Sequence, residues 1–141
     1  MVSDQSGSSI FEVFQDRNGV LWLSDIYTLH MPVNLVVLSG CHTASGREIP
    51  GEGLEGLSRA FFFAGARSVV GSLWSVQDRE TGLLMQRFYR SLILEKLSPS
   101  AALRRAQLAT AGAPGTSAPF YWAGFTVQGD GGAPLASSSL P

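Results

Sequence analysis

The sequence predicts an α/β fold, a mostly parallel sheet flanked by helices. Three observations carry this. Leu35-Val36-Val37-Leu38 is an unbroken apolar run with two β-branched residues at its centre, the pattern of a strand buried on both faces. Val69-Val70 opens a second buried strand, extending to Leu73 or Trp74. Between and after them lie segments with apolar residues at helical spacing, and strands alternating with helices argue for a sheet covered by helices.

Taken in order, Ile10 to Phe14 alternates apolar and polar residues, a short strand signature. Asp16-Arg17-Asn18-Gly19 reads as a hairpin turn, because Asn-Gly accepts positive φ, and Val20 to Leu23 as the returning strand. Ser24 can cap a short helix from Asp25 to Leu29, ended by Pro32. After Leu38, small and polar residues take over in Ser39-Gly40-Cys41-His42-Thr43, and Arg47 to Gly53 is a Gly- and Pro-rich loop. A helix is expected from about Leu54 to Ala64, with Leu54, Leu57, Phe61 and Ala64 on one face and Gly65 as its left-handed stop. Asp78 or Ser75 caps the next helix, whose Leu84, Phe88 and Leu92 share a stripe. Ser98-Pro99 is a cap followed by proline in the first turn, and that helix runs to about Ala111 before Gly112. Phe120 to Val127 reads as a last, aromatic-rich strand that need not neighbour the previous one. Residues 130–141 have the composition of a disordered tail, leaving 1–129 as the domain.

Bulk properties narrow the function. At 141 residues, 45% of them hydrophobic, the chain has material for one domain with a real core. Only 15% of residues are charged, below the usual quarter, which suggests surface covered by a partner or by further chain. A net charge of -1 gives no electrostatic footprint for nucleic acid or an anionic membrane. One cysteine rules out an internal disulfide and a multi-thiol metal site. Met1 to Ser9 lacks the basic start and apolar run of a signal peptide, and nothing approaches the ~18 apolar residues of a membrane span. The expectation is a soluble, cytoplasmic protein with no cofactor.

Cys41 is the residue with chemistry in it. A thiol just past the carboxyl end of a buried strand lies where open α/β sheets collect functional groups. Gly40 would let a substrate backbone approach, and free N–H groups of the turn could hold an oxyanion. The alternative is an inert buried thiol, the commonest fate of a free cysteine. A nucleophilic cysteine wants a histidine within hydrogen-bond reach. Only His30 and His42 exist. His30 precedes the strand that Cys41 follows, so at ~3.3 Å per residue the two stand over ~20 Å apart. His42 is adjacent to Cys41, and neighbours in extended chain point opposite ways, so it reads as a site-lining residue.

Other patterns carry less. Gly51-Glu52-Gly53-Leu54-Glu55-Gly56 matches G-x-G-x-x-G with Asp78 downstream, yet the loop from His42 to Pro50 breaks the strand-turn-helix that a dinucleotide needs. No Gly-x-Ser-x-Gly elbow surrounds Ser39, Ser72 or Ser75. Arg87, Arg90, Arg104 and Arg105 read as solvated faces. Phe61-Phe62-Phe63 reads as core packing, with one ring available to a partner.

Leu35-Val36-Val37-Leu38-Ser39-Gly40-Cys41 resembles the nucleophile strand of CHAT domains, where Leu-Ser-Ala-Cys is usual. Further blocks resemble the family in the same order: Gly51-Glu52-Gly53 into Gly56-Leu57-Ser58-Arg59-Ala60-Phe61, Ala64-Gly65-Ala66 into Val69-Val70, and Ser72-Leu73-Trp74 with Val76 and Asp78. Ala102-Leu103 with Ala106-Gln107 and Trp122-Ala123 with Phe125 complete the pattern. The resemblance covers Leu35 to Gly129, more loosely Val20 to Asn34. It implies a caspase-like α/β sandwich and a cysteine–histidine dyad in which Cys41 is the cysteine.

The family's histidine stands in a His-Gly pair at the end of an earlier strand, and Ser3 to Ser9 resembles the loop that follows it. The resemblance therefore implies an amino-terminally incomplete domain, with a histidine-bearing segment, and commonly TPR repeats, upstream. Gly71 to Trp74 resembles the strand edge that pairs with extended substrate in caspase relatives, which makes Ser72, Leu73 and Trp74 groove candidates. Metacaspases, which the Cys41–Gly46 run also resembles, carry an acidic residue two before the cysteine for basic substrates. Ser39 stands there, so basic specificity is not implied.

Two readings follow: a caspase-like cysteine endopeptidase domain acting on protein or peptide, inactive without its histidine, or a non-catalytic interaction module on the same fold. With the histidine strand gone, an unpaired edge beside the cysteine strand is expected to favour self-association or a partner.

Overall fold

The computed structural model describes residues 10–12, 23–39, 52–76 and 78–135. Their elements are β1 (Ile10–Glu12), α1 (Leu23–Thr28), β2 (Leu35–Leu38), α2 (Glu52–Ala64), β3 (Ser68–Ser72), α3 (Asp78–Ile93), α4 (Pro99–Ala111), a 3-10 turn (Pro119–Tyr121) and β4 (Phe125–Gly129). The four strands form one sheet in the order β1-β2-β3-β4. β1, β2 and β3 are parallel, with Val36 opposite Phe11 and Val69, and β4 runs antiparallel to β3.

The apolar runs explain the layering. Side chains alternate across a strand, so β2 feeds two cores at once. Leu35, Val37 and Val70 face Leu84, Phe88 and Leu92 of α3 and Ala102, Leu103 and Ala106 of α4. Val36, Leu38 and Val69 face Ile26 of α1 and Leu54, Ala60, Phe61 and Ala64 of α2. Helices therefore cover both faces of a mixed, mostly parallel α/β sheet. The stripe expected on α3 is buried, and α4 has the expected ends: Ser98 Oγ accepts from the Ala101 N–H at 3.3 Å, with Pro99 in the first turn and Gly112 at the C-cap. Gly65, at φ 113°, ends α2 as expected. α2 begins at Glu52, earlier than its apolar stripe suggested.

Several expectations are corrected. Of the expected hairpin, the turn and most of the second strand lie outside the described residues; Leu23, assigned to that strand, instead opens helix α1, and β1 pairs in parallel with β2. So short a helix owes its form to packing, here the complete burial of Ile26 beneath α2. The edge of β2 expected to lie open is occupied by β1. Phe120 and Tyr121 belong to a 3-10 turn, closed by the Trp122 and Ala123 N–H groups on Pro119 O, and the strand starts only at Phe125. β4 also neighbours β3 directly. Its outer edge is blunted, since Phe125 O accepts from the Gln107 side chain and Gly129 O from the Gly131 N–H.

Arg87 is no solvated charge. It donates to Thr110 Oγ1 at 2.8 Å, and Thr110 in turn holds Ala106 O, tying α3 to the buried end of α4. Nor does the tail begin at 130. Asp130 N–H donates to Arg67 O, the Ser68 hydroxyl to Asp130 O, and Ser100 N–H to Gly131 O. Leu135 packs against the α3–α4 core. Composition registered the small residues but not these pairings. Residues 136–141 lie outside the described set.

One buried hydroxyl works against the fold. Ser58 on α2 is 1% exposed, and its Oγ has no hydrogen-bond partner among the described residues. An unsatisfied buried donor costs more than its absence, and alanine suits a helix better. Ser58→Ala is expected to stabilise the chain by about 1 kcal/mol in urea melts. A loss of stability would mean that the hydroxyl has a partner in solution.

Candidate active site

Parallel pairing brings the carboxyl ends of β2 and β3 to one edge of the sheet, with Leu38 in register with Gly71. Close packing marks this edge. A side chain at Gly71 would put its Cβ 2.5 Å from Leu54 Cδ1, so glycine lets α2 settle onto the sheet where β2 ends. Ser39, half-buried, continues from Leu38 toward Cys41. Gly40, Cys41 and His42 themselves lie outside the described residues.

His30 is at the opposite edge. The neighbouring Met31 N–H donates to Ala64 O at 2.6 Å, and the Arg67 N–H to Val33 O at 2.9 Å. These bonds set the entrance of β2 beside the end of α2 and the entrance of β3, and His30 is exposed there. The four residues of β2 alone put ~10 Å between the two edges.

The groove candidates are described in full. Ser72 closes β3 opposite Phe125, and its hydroxyl donates to Trp74 O at 2.7 Å. The Leu73 N–H donates to Gly124 O at 2.9 Å. Trp74 is half-buried, its indole N–H donating to Phe120 O at 2.9 Å. Its ring lies over Gly124, where a Cβ would stand 2.7 Å from Trp74 Cε2. On its β4 side, then, the edge proposed for substrate is already paired with the chain's own Gly124–Thr126. The sequence left open whether β4 lies beside β3, so that pairing was not foreseen. The two-donor role of Gln107, on Trp122 O at 3.0 Å and Phe125 O at 2.9 Å, was also missed. The only signal for it was its place in the Ala106-Gln107 block.

Gly53 and Gly56 of the G-x-G-x-x-G run lie within α2, and a Cβ at Gly56 would meet nothing within 4 Å. A cavity of about 60 Å³, lined by Asn34, Arg67, Ser68, Asp130, Ala133, Pro134 and Leu135, is at the edge away from Ser72 and Trp74. Among the described residues no three His, Cys, Asp or Glu gather as a metal set, and no helix is long and apolar enough to cross a membrane.

Comparison with known proteins fits this arrangement. The CHAT domain family model matches residues 2–130. Tetratricopeptide repeat protein 28 of Mus musculus is 39% identical over 113 residues, 80% of this chain and 4% of that protein. Its Homo sapiens counterpart is 37% identical over 123 residues, 87% of this chain and 5% of that protein. The chain thus spans about a twentieth of the length of these relatives. No solved structure matches. A helix-covered, mostly parallel sheet and a family match along nearly its whole length place this chain in the CHAT domain family, which is related to the caspase-like peptidases.

Proposed function

We propose that the chain is the cysteine-bearing part of a caspase-like cysteine endopeptidase, with Cys41 as nucleophile and its general base supplied by a histidine other than His30 or His42. The observation that carries this reading is the family match together with the course of β2, whose last residue Leu38 precedes Cys41 by only three positions at the carboxyl edge of the sheet. In the proposed reaction the histidine takes the Cys41 proton and Sγ attacks the scissile carbonyl carbon of a protein or peptide substrate. Backbone N–H groups around Gly40 and Cys41 hold the oxyanion, and His42 lines the site. The C–N bond then breaks, the imidazolium gives its proton to the leaving amine, and water releases the acyl group from sulfur. A single thiol suits a reducing, cytoplasmic setting, and the repeats named in the relatives suit an upstream TPR segment.

A second reading, a non-catalytic interaction module, is favoured by one observation: Gly71 and Leu73 already spend their β4-side backbone on the chain itself. Chemical rescue separates the two. The purified chain is expected to show no turnover of a peptide library in buffer. With imidazole added as a diffusible base it should show turnover that Cys41→Ala abolishes. Absence of turnover even with imidazole would favour the interaction module. Turnover without imidazole that survives His42→Ala but not Cys41→Ala would overturn the claim that the base lies elsewhere.

A further inference from the structure

We infer that Gln107, on α4, is the positioning residue for the Ser72–Trp74 wall of the candidate site. As a role within catalysis this rests on the reading above; as a structural role it stands on geometry alone. The wall is held by one short stretch of chain. Leu73 donates its N–H to Gly124 O, Trp74 donates its indole N–H to Phe120 O, and the indole covers Gly124. The Ser72 hydroxyl on Trp74 O folds the segment onto itself, so a shift of residues 120–125 moves the wall as a unit.

That stretch is an irregular turn. Its 3-10 start is closed on Pro119 O, and the Trp122 indole N–H reaches Ser117 O at 3.2 Å. Neither bond reaches the helical layer. Tyr121, Trp122 and Phe125 pack on its core without fixing the backbone's hydrogen-bonding direction, and among the described residues the polar link is Gln107. Its carboxamide nitrogen has two hydrogens, and each has a carbonyl acceptor, Trp122 O at 3.0 Å and Phe125 O at 2.9 Å. These two carbonyls flank Ala123 and Gly124, so one planar amide spans the turn from outside while Leu73 and Trp74 hold it from inside. The support under Gln107 is α4, anchored by its Ser98 cap and by Ala102, Leu103 and Ala106 in the core. Glutamate at 107 would turn an ionised acceptor toward two carbonyl oxygens, and methionine would keep the stem and lose both donors.

The test follows hydrogen exchange of the Leu73 amide and the Trp74 indole N–H by NMR on the whole chain. Gln107→Glu and Gln107→Met are both expected to speed exchange at these two sites by about tenfold or more, as expected for loss of hydrogen bonds that hold their acceptors. The Trp74 indole resonance should shift, while the Val36 and Val37 amides of β2 stay protected. If Gln107→Glu does not fold, Gln107→Met alone decides. Unchanged Leu73 and Trp74 exchange in the methionine variant would overturn the inference, as would acceleration spread evenly over β2. These readouts do not involve the thiol and can be repeated in Cys41→Ala, so failure of the peptidase reading leaves them intact.

Discussion

Gly129→Ala is expected to destabilise the chain by about 3 kcal/mol, from a left-handed backbone penalty of about 1–2 kcal/mol and an overpacking cost of similar size. Gly129 ends β4 at φ 85°, where a side chain is strained in any surroundings. The surroundings are also full. An added Cβ would stand 2.4 Å from Arg67 O and 2.9 Å from Phe62 Cε1. Arg67 O is a backbone atom already accepting from the Asp130 N–H, so it cannot step aside without opening the bonds of Ser68 and Asp130. The Arg67–Asp130 ion pair at 2.7 Å is exposed and adds little. Gly132→Ala is the matched control: nothing lies within 4 Å of its Cβ and its φ is ordinary, so it should be near neutral. Thermal melts of the two variants make the comparison, with the Gly129 variant expected to melt about 10 °C lower. A difference under about 1 kcal/mol between them would mean that the turn relaxes freely.

Phe88→Ala is expected to cost about 3–5 kcal/mol, a large part of the whole stability of a domain this size. Phe88 is 0% exposed and packs α3 against the sheet among Leu84, Leu92 and Val70. Truncation removes its transfer free energy and leaves a cavity between a helix and strands held on their other side by α2. Phe63 supplies the contrast. It is 73% exposed on α2, touching Tyr27 edge-on with ring centroids 5.3 Å apart, and Phe63→Ala should change stability by under about 1 kcal/mol. Urea midpoints of both variants test the pair, and similar losses would contradict the burial pattern.

The parts of the fold legible in the sequence are those whose signals are local. β2 is an apolar run, β3 centres on Val69-Val70 although it ends at Ser72 rather than at Leu73 or Trp74, the α3 stripe repeats at helical spacing, and Ser98-Pro99 with Gly112 bounds α4 to the residue. What was illegible depends on partners distant in sequence. Phe120 and Tyr121 look like strand residues, yet Trp74 and Gln107 draw their neighbourhood into a turn. Leu23 looks like the end of a hairpin, yet burial of Ile26 makes it the start of a helix. Asp130 to Leu135 look like a tail because Gly, Ala and Pro say nothing of the carbonyls and N–H groups they meet across the sheet. For the candidate site, the Leu-Ser-Gly-Cys run stands plainly in the sequence, and Ser72, Leu73 and Trp74 remain groove candidates. That the groove strand carries its own antiparallel partner could not be read there, because pairing between β3 and β4 spans two whole helices.

The antiparallel course of β4 has a consequence for how this unit can be tethered. β1 enters the sheet at the edge where β2 and β3 begin, with Ile10 beside Leu35, and β4 leaves at that same edge, with Gly129 beside Ser68. Polypeptide leading into Ile10 and polypeptide leading out past Leu135 therefore both attach on the side away from Ser72 and Trp74. A module tethered at these two points would reach the unit without crossing the carboxyl edge of the sheet, as a pendant is held by a cord doubled through one loop.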